Sequence, residues 1–484
     1  MRRVGQASRR PVAPAVGATA LAVFVVLLAV AGRYGYHRDE LYFLQAGRHL
    51  AWGYPDQPPL VPALARLASW IDADSLTVLR VPSALCAAAV VVVAALTARD
   101  LGARTSGQVL AACAAALDGT ALGTGHLLST ATTNLLGWTV VTWLVVRLVK
   151  GAGLATWLAL GAAAGISMLA HPLAAVLLVG CAASVLAVGP RSLLAPPGPV
   201  LAAGVAAVLA LPYVVWQARH GFPQLDVASS VSGGGSTSSE PRALFLPLQV
   251  LQTGPFLAPV WIAGLVALWR DRSLRFLAVT YALLAAAFLV LGGKPYYLSG
   301  MYPLLFAAGA QPLLDAVRRR WVVPALLVLS LPVVYLTLPV VPFGAAGVPL
   351  AVNPDAAETI GWPGYVREVA EAYHAAPPGT VVLTQNYGEA GAVDRYGAAL
   401  GLPRAYSGHN GYWYWGSPPE STSSVLAVGF DAPTLQRWFG TVRQVGELHN
   451  RWDVDGEEQG KPLWVCSSPR EDWPSLWPQM ARLA

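Results

Sequence analysis

Long apolar runs alternate with short polar breaks through the first two-thirds of the chain. Eleven of them are long enough to cross about 30 Å of hydrocarbon. They lie near 15–33, 79–98, 107–125, 132–149, 153–170, 172–189, 198–216, 246–269, 274–291, 298–316 and 321–341. The pattern then changes. Residues 362–375 have helical periodicity, and Thr380-Val381-Val382-Leu383-Thr384 is a buried-strand pattern after a Pro-Pro-Gly turn. A helix follows over 389–400, and Ser424 to Gly429 and Leu463 to Cys466 read as further strands. The pattern predicts a polytopic α-helical membrane protein of about eleven transmembrane helices, residues 1–345. A small extracytoplasmic α/β domain follows, residues 346–484.

Composition agrees. Of 484 residues, 55 % are hydrophobic and 12 % charged, about half the charge of a soluble domain. A soluble enzyme, a disordered chain and a disulfide scaffold are excluded. Residues 1–350 carry 23 basic and 11 acidic side chains, whereas 351–484 carry 9 and 15, so a composition break falls near 345. The pI of 9.2 comes from membrane-flanking arginines, which argues against nucleic acid as a partner. Cys86, Cys113 and Cys181 sit in apolar runs and Cys466 is alone, so no disulfide or zinc framework is implied.

With a cytoplasmic N-terminus, the inner segments hold 15 Lys and Arg residues, beginning with Arg2, Arg3, Arg9 and Arg10. The outer segments hold eight, five of them in one long loop. The expected placement is a multi-pass protein of the plasma membrane with its C-terminal domain outside. The first span reads as an uncleaved anchor. The outer loop 34–78 carries a segment, 59–71, that reads as an amphipathic helix lying in the bilayer interface, with Leu60, Leu64, Leu67 and Trp70 on one side. The outer loop 217–245 carries a Gly/Ser stretch from Ser232 to Ser239, a linker or a gate.

Candidate chemistry gathers on the outer side. Asp39 and Glu40 stand just past the first span among aromatic residues. They are either a solvated pair beside Arg38 or a site, in which a carboxylate accepts a proton or helps hold a divalent cation. Asp118 falls inside an apolar run, where an ionisable group is costly, although Gly119 beside it also fits a helix end. His126, Asn134, His171, Arg219, His220, Lys294, Tyr296 and Tyr297 all emerge on the face that carries Asp39. Cations and aromatics on one face suit an anionic lipid phosphate. In the C-terminal part, Tyr406, His409, Tyr412, Trp413, Tyr414 and Trp415 form an aromatic group. It fits either acceptor binding or packing against headgroups, with the second favoured.

These stretches resemble the glycosyltransferase C superfamily, in particular glycosyltransferase family 39, which includes protein O-mannosyltransferases and the lipid A aminoarabinose transferase. The resemblance is carried by His37-Arg38-Asp39-Glu40-Leu41-Tyr42, Tyr54-Pro55-Asp56-Gln57-Pro58-Pro59-Leu60 and Gly125-His126-Leu127-Leu128-Ser129-Thr130. It continues in Trp216-Gln217-Ala218-Arg219-His220-Gly221 and Gly293-Lys294-Pro295-Tyr296-Tyr297. The C-terminal part adds Gly361-Trp362-Pro363, Asn386-Tyr387-Gly388-Glu389-Ala390 and Ser407-Gly408-His409-Asn410. The resemblance implies transfer of a sugar from a polyprenyl-phosphate donor to an acceptor hydroxyl of a glycan, lipid or protein, with inversion. It implies Asp39 as general base and Glu40 as a residue positioning base or acceptor. Lys294, with Arg219 and His220, would neutralise the leaving phosphate, and Tyr296 and Tyr297 would flank it. No cofactor is required by this chemistry, and a divalent cation stays an open alternative. Many relatives carry Asp where the fourth span begins. This chain has Asn134, which can hydrogen-bond but cannot act as a base.

Two other classes compete: a polyprenyl-lipid transporter or flippase, and a non-catalytic lipid-binding assembly protein of the cell envelope. A transporter often shows internal repeats. The halves of this sequence show none, and most polar candidates lie on one face.

Overall fold

The computed structural model describes residues 11–234 and 240–483. Arg2, Arg3, Arg9 and Arg10 of the charge count, and Gly235 to Ser239 of the Gly/Ser stretch, lie outside the described residues.

The helical part opens with α1 (Pro14–Ala31), then α2 (Arg38–Arg48) and α3 (Leu60–Ile71). It continues with α4 (Leu76–Asp100), α5 (Thr105–Ala116), α6 (Gly119–His126), α7 (Thr130–Val149), α8 (Leu154–Met168), α9 (Leu173–Val188) and α10 (Gly198–Arg219). After α11 (Pro223–Ser232) come α12 (Phe245–Thr253), α13 (Ala258–Arg270), α14 (Arg275–Leu291), α15 (Tyr302–Ala316), α16 (Val322–Ser330) and α17 (Pro332–Thr337). The bundle turns aliphatic side chains outward, with Leu21 61 %, Val208 71 % and Val290 67 % exposed. Water-facing helices carry polar residues on that side. Lipid is the solvent that tolerates this surface, and the chain is a membrane protein.

The expectation of eleven uninterrupted spans is corrected in part. Among the described residues, α1, α4, α7 and α10 are single helices long and apolar enough to cross a membrane. The third predicted run breaks at Asp118, whose carboxylate accepts from Thr120 N–H at 2.9 Å and caps α6. The eighth bends by 84° at Gly254, which sits at φ 92° before Pro255. The eleventh is interrupted before Pro332, which brings no N–H to the helix. The tenth begins as a 3₁₀ segment, Pro295–Met301. Runs 153–170, 172–189 and 274–291 are helices of 15 to 17 residues, shorter than the roughly 20 that cross a bilayer untilted. Hydropathy registers none of these breaks, because each is set by one residue inside an apolar run. Ten residues of the loop 217–245 are also helical, as α11. The amphipathic segment is α3: Val61, Ala65 and Ala68 face inward, while Leu67, Trp70 and Ile71 are exposed.

The C-terminal part holds α18 (Gly347–Val352), α19 (Trp362–His374), α20 (Tyr387–Tyr396), α21 (Gly411–Tyr414), α22 (Ala432–Trp438) and α23 (Trp473–Gln479) around a sheet. Its strands are β1 (Val381–Thr384), β2 (Ala405–Ser407), β3 (Ser424–Val428), β4 (Phe439–Glu447) and β5 (Pro462–Pro469), in the order β2-β1-β3-β5-β4. β1 runs parallel to β2 and β3; β5 pairs antiparallel with β3 and β4. The predicted α/β character is observed, and β2 and β4 are additions to it. Alternate residues serve opposite faces. Val382, Leu426 and Val428 pack with Trp362 and Val366 of α19. Leu383, Val425 and Ala427 pack with Trp438 and Trp473.

The first of these cores also takes in Leu41, Tyr42 and Phe43 of α2. The helix that carries Asp39 is therefore clamped onto the sheet-bearing part through α20. Two glycines allow the approach. A Cβ on Gly391 would stand 2.8 Å from Leu41 Cβ, and one on Gly388 would stand 2.9 Å from Arg38 Cβ.

Candidate functional site

The N-terminus of α2 is set by its own side chains. His37 Nδ1 accepts from Asp39 N–H at 3.2 Å, and Glu40 accepts from His37 N–H at 2.9 Å, a reciprocal cap. Asp39 falls in the first turn, where the helix dipole favours negative charge. The start of α20 is built the same way, with Asn386 accepting from Glu389 N–H at 2.9 Å and Glu389 accepting from Asn386 N–H at 3.1 Å. That cap places Tyr387 opposite α2, and its hydroxyl donates to Asp39 Oδ1 at 2.8 Å. Asp39 keeps 41 % of its side chain exposed, with its second oxygen 3.9 Å from His37 Nδ1.

Glu40 is buried and fully engaged. It accepts from Arg80 Nε and Nη2 at 2.9 and 2.8 Å, and from Leu128 N–H at 2.9 Å. His126 belongs to the same knot, its Nε2 lying 3.2 Å from Arg80 Nη1. The Asp39–Glu40 pair therefore does not present two free carboxylates to one cation. Arg38 turns the other way, toward Glu358 and Glu457, with its guanidinium 5.3 Å from the Tyr387 ring centre. Burial opposes its charge, but Tyr387, Glu458, Glu358 and Asp39 outweigh it and raise its pKa. Glu358, Glu457 and Glu458 bring carboxylate oxygens within 4.8 Å of one another, an acidic nest into which Arg38 plugs.

Lys294 and Tyr296 lie within electrostatic reach of Asp39. Burial lowers the Lys294 ammonium, while Asp39 and Asp355 hold it up. Burial raises the Tyr296 hydroxyl, with Tyr297, Asp355 and Asp39 adding to it. Gly292, at φ 72°, ends α14 and turns the chain into this segment. Gln249 fixes it by donating to Pro295 O at 3.0 Å while accepting from Tyr302 at 2.8 Å. His171 completes this side, its ring edge-on to Tyr297 at 6.1 Å. Burial, then Lys294, pushes its pKa down to about 4, so it stands there as neutral imidazole.

The other predicted residues lie elsewhere. Arg219 and His220 are exposed at the end of α10, where His220 stacks on Trp216 at 4.0 Å and meets Tyr414 at 5.8 Å. Asp118 and Asn134 are buried, and Asp118 Oδ2 and Asn134 Oδ1 have no hydrogen-bond partner among the described residues. Asp118 caps a helix. Of the aromatic group, Tyr406, His409 and Tyr412 are buried, so they form core rather than a headgroup-facing surface.

Two residues at the site come into view only with the structure. Tyr387 was visible as part of a motif but had no stated role. Asp56, in the Tyr54–Leu60 turn, accepts from Tyr42 Oη at 2.8 Å, and that same oxygen accepts from Gly411 N–H at 3.0 Å. Burial, with a contribution from Asp39, pushes the Asp56 carboxyl up to about 7 despite the Tyr42 bond.

Glu458 is likewise pushed up to about 7 by burial, with Glu358 adding to it and Arg38 opposing. A carboxyl raised in the fold stabilises fully below its unfolded value, and that stabilisation is lost as pH rises through about 7. His171 and the buried His409 are lowered and act in the opposite sense. The readout is therefore the difference between two proteins. Between pH 5 and 8, thermal midpoints of wild type should fall relative to those of Glu458→Gln. Parallel curves would remove Glu458 from the account.

Residues 56–216 match the model of a family described as dolichyl-phosphate-mannose-protein mannosyltransferase. No curated protein matches the sequence. The fold is that of ArnT from Cupriavidus metallidurans. Its apo structure aligns with a TM-score of 0.63 at 14 % identity, covering 93 % of this chain and 96 % of that one. Its structure bound to undecaprenyl phosphate aligns with a TM-score of 0.61 at 15 % identity, covering 93 % and 97 %. The resemblance read from the sequence to the glycosyltransferase C superfamily is thus met by a family model and by a shared fold.

Proposed function

We propose that this chain is a membrane glycosyltransferase that moves a sugar from a polyprenyl-phosphate donor to an acceptor hydroxyl, with inversion and with Asp39 as general base. The observation that carries the reading is the placement of Asp39. It is held by Tyr387, lies within electrostatic reach of Lys294 and Tyr296, and keeps part of its carboxylate exposed. The family match and a fold shared with a protein that binds undecaprenyl phosphate support the same chemistry.

The division of labour follows from charge. As the glycosidic C–O bond breaks, negative charge grows on the phosphate, and a fixed cation at that point lowers the barrier. Lys294 is that cation. Tyr296 and Tyr297 flank the phosphate, and His171 adds a neutral polar wall. On the opposite face of the sugar, Asp39 takes the proton of the attacking hydroxyl, as inversion requires. Glu40, through Arg80, is a positioning residue that fixes α2. Arg219 and His220 lie at an exposed rim, where a lipid phosphate would arrive first. We take residues up to about 345 as the catalytic membrane part and the remainder as the extracytoplasmic domain. That domain's Tyr387 completes the site.

Full-length protein in lipid nanodiscs, offered a panel of polyprenyl-monophosphate sugars, should transfer or hydrolyse one of them. Binding without turnover across the panel would favour the lipid-binding reading, and vectorial movement of the donor across liposomes would favour the transporter. Tyr387→Phe isolates the contribution of the C-terminal domain. A hydrogen bond to a charged group is worth about 1.5–3 kcal/mol, so kcat should fall about tenfold or more while donor KM holds. Unchanged kcat would show that Tyr387 does not position the base.

A further inference from the structure

Beside the site, on the acceptor side, lies a cleft of about 310 Å³ between the end of α2 and the sheet domain. That is at the small end of ligand pockets, roughly 300–1,000 Å³, and has room for one or two sugar rings. Its walls are unlike those of the donor site. Arg48 and Arg404 stand exposed at its rim, and among the described residues neither is in an ion pair. His49 lies flat on Trp415, ring centres 4.6 Å apart at 14°. The electrostatics place the three basic groups together: the His49 imidazole is lowered by burial, then by Arg404 and Arg48. Asp394 also lines the cleft; burial raises its carboxyl while Arg48 and Arg404 act against that, and both of its oxygens are bonded. One of its oxygens accepts from Ala405 N–H at 2.9 Å and the other from Tyr412 Oη at 2.9 Å.

Two guanidinium groups without carboxylate partners suit a carboxylate or phosphate, which they can grip in the forked manner that Lys cannot. The exposed His49 ring, stacked on the Trp415 indole, offers a flat face beside them that suits the apolar face of a sugar ring. Packed side chains connect the cleft wall to the base. Trp415 packs on Tyr42 at 5.9 Å, Tyr42 on Tyr387 at 4.9 Å, and Tyr387 donates to Asp39.

We propose that this cleft binds an acidic saccharide, a sugar bearing a carboxylate or phosphate, and that it is the acceptor subsite of the transferase. The acidic group sits between Arg48 and Arg404, a ring lies on the exposed side of the His49–Trp415 stack, and the rest of the acceptor points along the aromatic wall toward Asp39. The acceptor role rests on the function proposed above; the binding itself does not.

The test is binding by full-length protein in nanodiscs, followed by Trp fluorescence and calorimetry. The probes are hyaluronan tetrasaccharide for the carboxylate, glucose 6-phosphate for the phosphate, and chitotetraose as a neutral control. At least one acidic probe should bind, and chitotetraose should bind at least about tenfold more weakly, the scale of one charge-assisted contact. The Arg48→Gln/Arg404→Gln double variant should lose about tenfold or more in acidic-probe affinity. Arg404→Gln alone, at an exposed position, should lose part of it. The assignment is overturned if neither acidic probe binds, if chitotetraose binds equally well, or if the double variant keeps wild-type affinity. Donor turnover is measured separately on the wild type. Its absence would sink the transferase reading while leaving acidic-saccharide binding standing, so the two failures are distinguishable.

Discussion

Asp39→Asn should cut sugar transfer by about 10²–10⁴-fold, the range supplied by a positioned general base, while donor affinity stays close to wild type. The substitution is nearly isosteric. Asn can still accept from Tyr387 Oη, which lies 2.8 Å from Oδ1, so α2 and its cap need not move. What disappears is the ability to take a proton from the acceptor hydroxyl. Lys294, Tyr296 and Tyr297 are untouched, and they are the groups assigned to the phosphate. The decisive pattern is therefore a collapse of kcat with donor Kd preserved, read by single-turnover transfer and donor titration on the same nanodisc preparation. Equal turnover in variant and wild type would remove Asp39 as base. Loss of donor binding along with turnover would instead make Asp39 part of the donor pocket. The neighbouring carboxylate of Asp56 is the natural comparison. Burial pushes it up to about 7, a value that suits a base near neutrality, and it already accepts from Tyr42. With Asp39 as the base, Asp56→Asn should cost less than Asp39→Asn, and the reverse order would move the role to Asp56.

What could be read from the sequence follows from which interactions are local. The caps of α2 and α20 are short-range patterns, so the stretches around Asp39 and Glu389 stood out. Apolar runs announced the bundle because lipid exposure writes itself into composition. Asp118, followed by Gly119, is legible as a helix end, whereas the breaks at Gly254 and Pro332 are hidden because a single residue inside an apolar run changes hydropathy little and geometry greatly. β2 was missed because it is three residues long and draws its stability from β1. Tyr387 and Asp56 acquire their roles only through partners 348 and 14 residues away, and no periodicity carries such pairings. Asp39 and Glu40 look alike in the sequence. The structure separates them, giving one a partly exposed carboxylate and the other a full set of donors.

That separation sets the second large effect. Arg80→Met should destabilise the protein by about 3–5 kcal/mol, the cost of stranding a buried charge. Glu40 is 0 % exposed and Arg80 1 %. Arg80 also donates to Ala31 O and Gly35 O, both at 2.7 Å, so it ties the end of α1 to α2 and α4. Without it, Glu40 keeps the Leu128 and His37 N–H groups but loses its counter-charge, and two backbone carbonyls lose their donor. Glu40→Gln should cost less, because the amide oxygen still accepts one guanidinium N–H even though its NH₂ now faces a donor. Turnover should fall with stability in both variants, since the cap that aims Asp39 shares Glu40 with Arg80. The measurement is the thermal midpoint in detergent together with kcat at a temperature where each variant is still folded. Should Arg80→Met melt with wild type, the knot is not what holds α2. Should it melt early yet turn over normally when folded, Glu40 and Arg80 serve stability alone, and the aim of Asp39 is left to Tyr387.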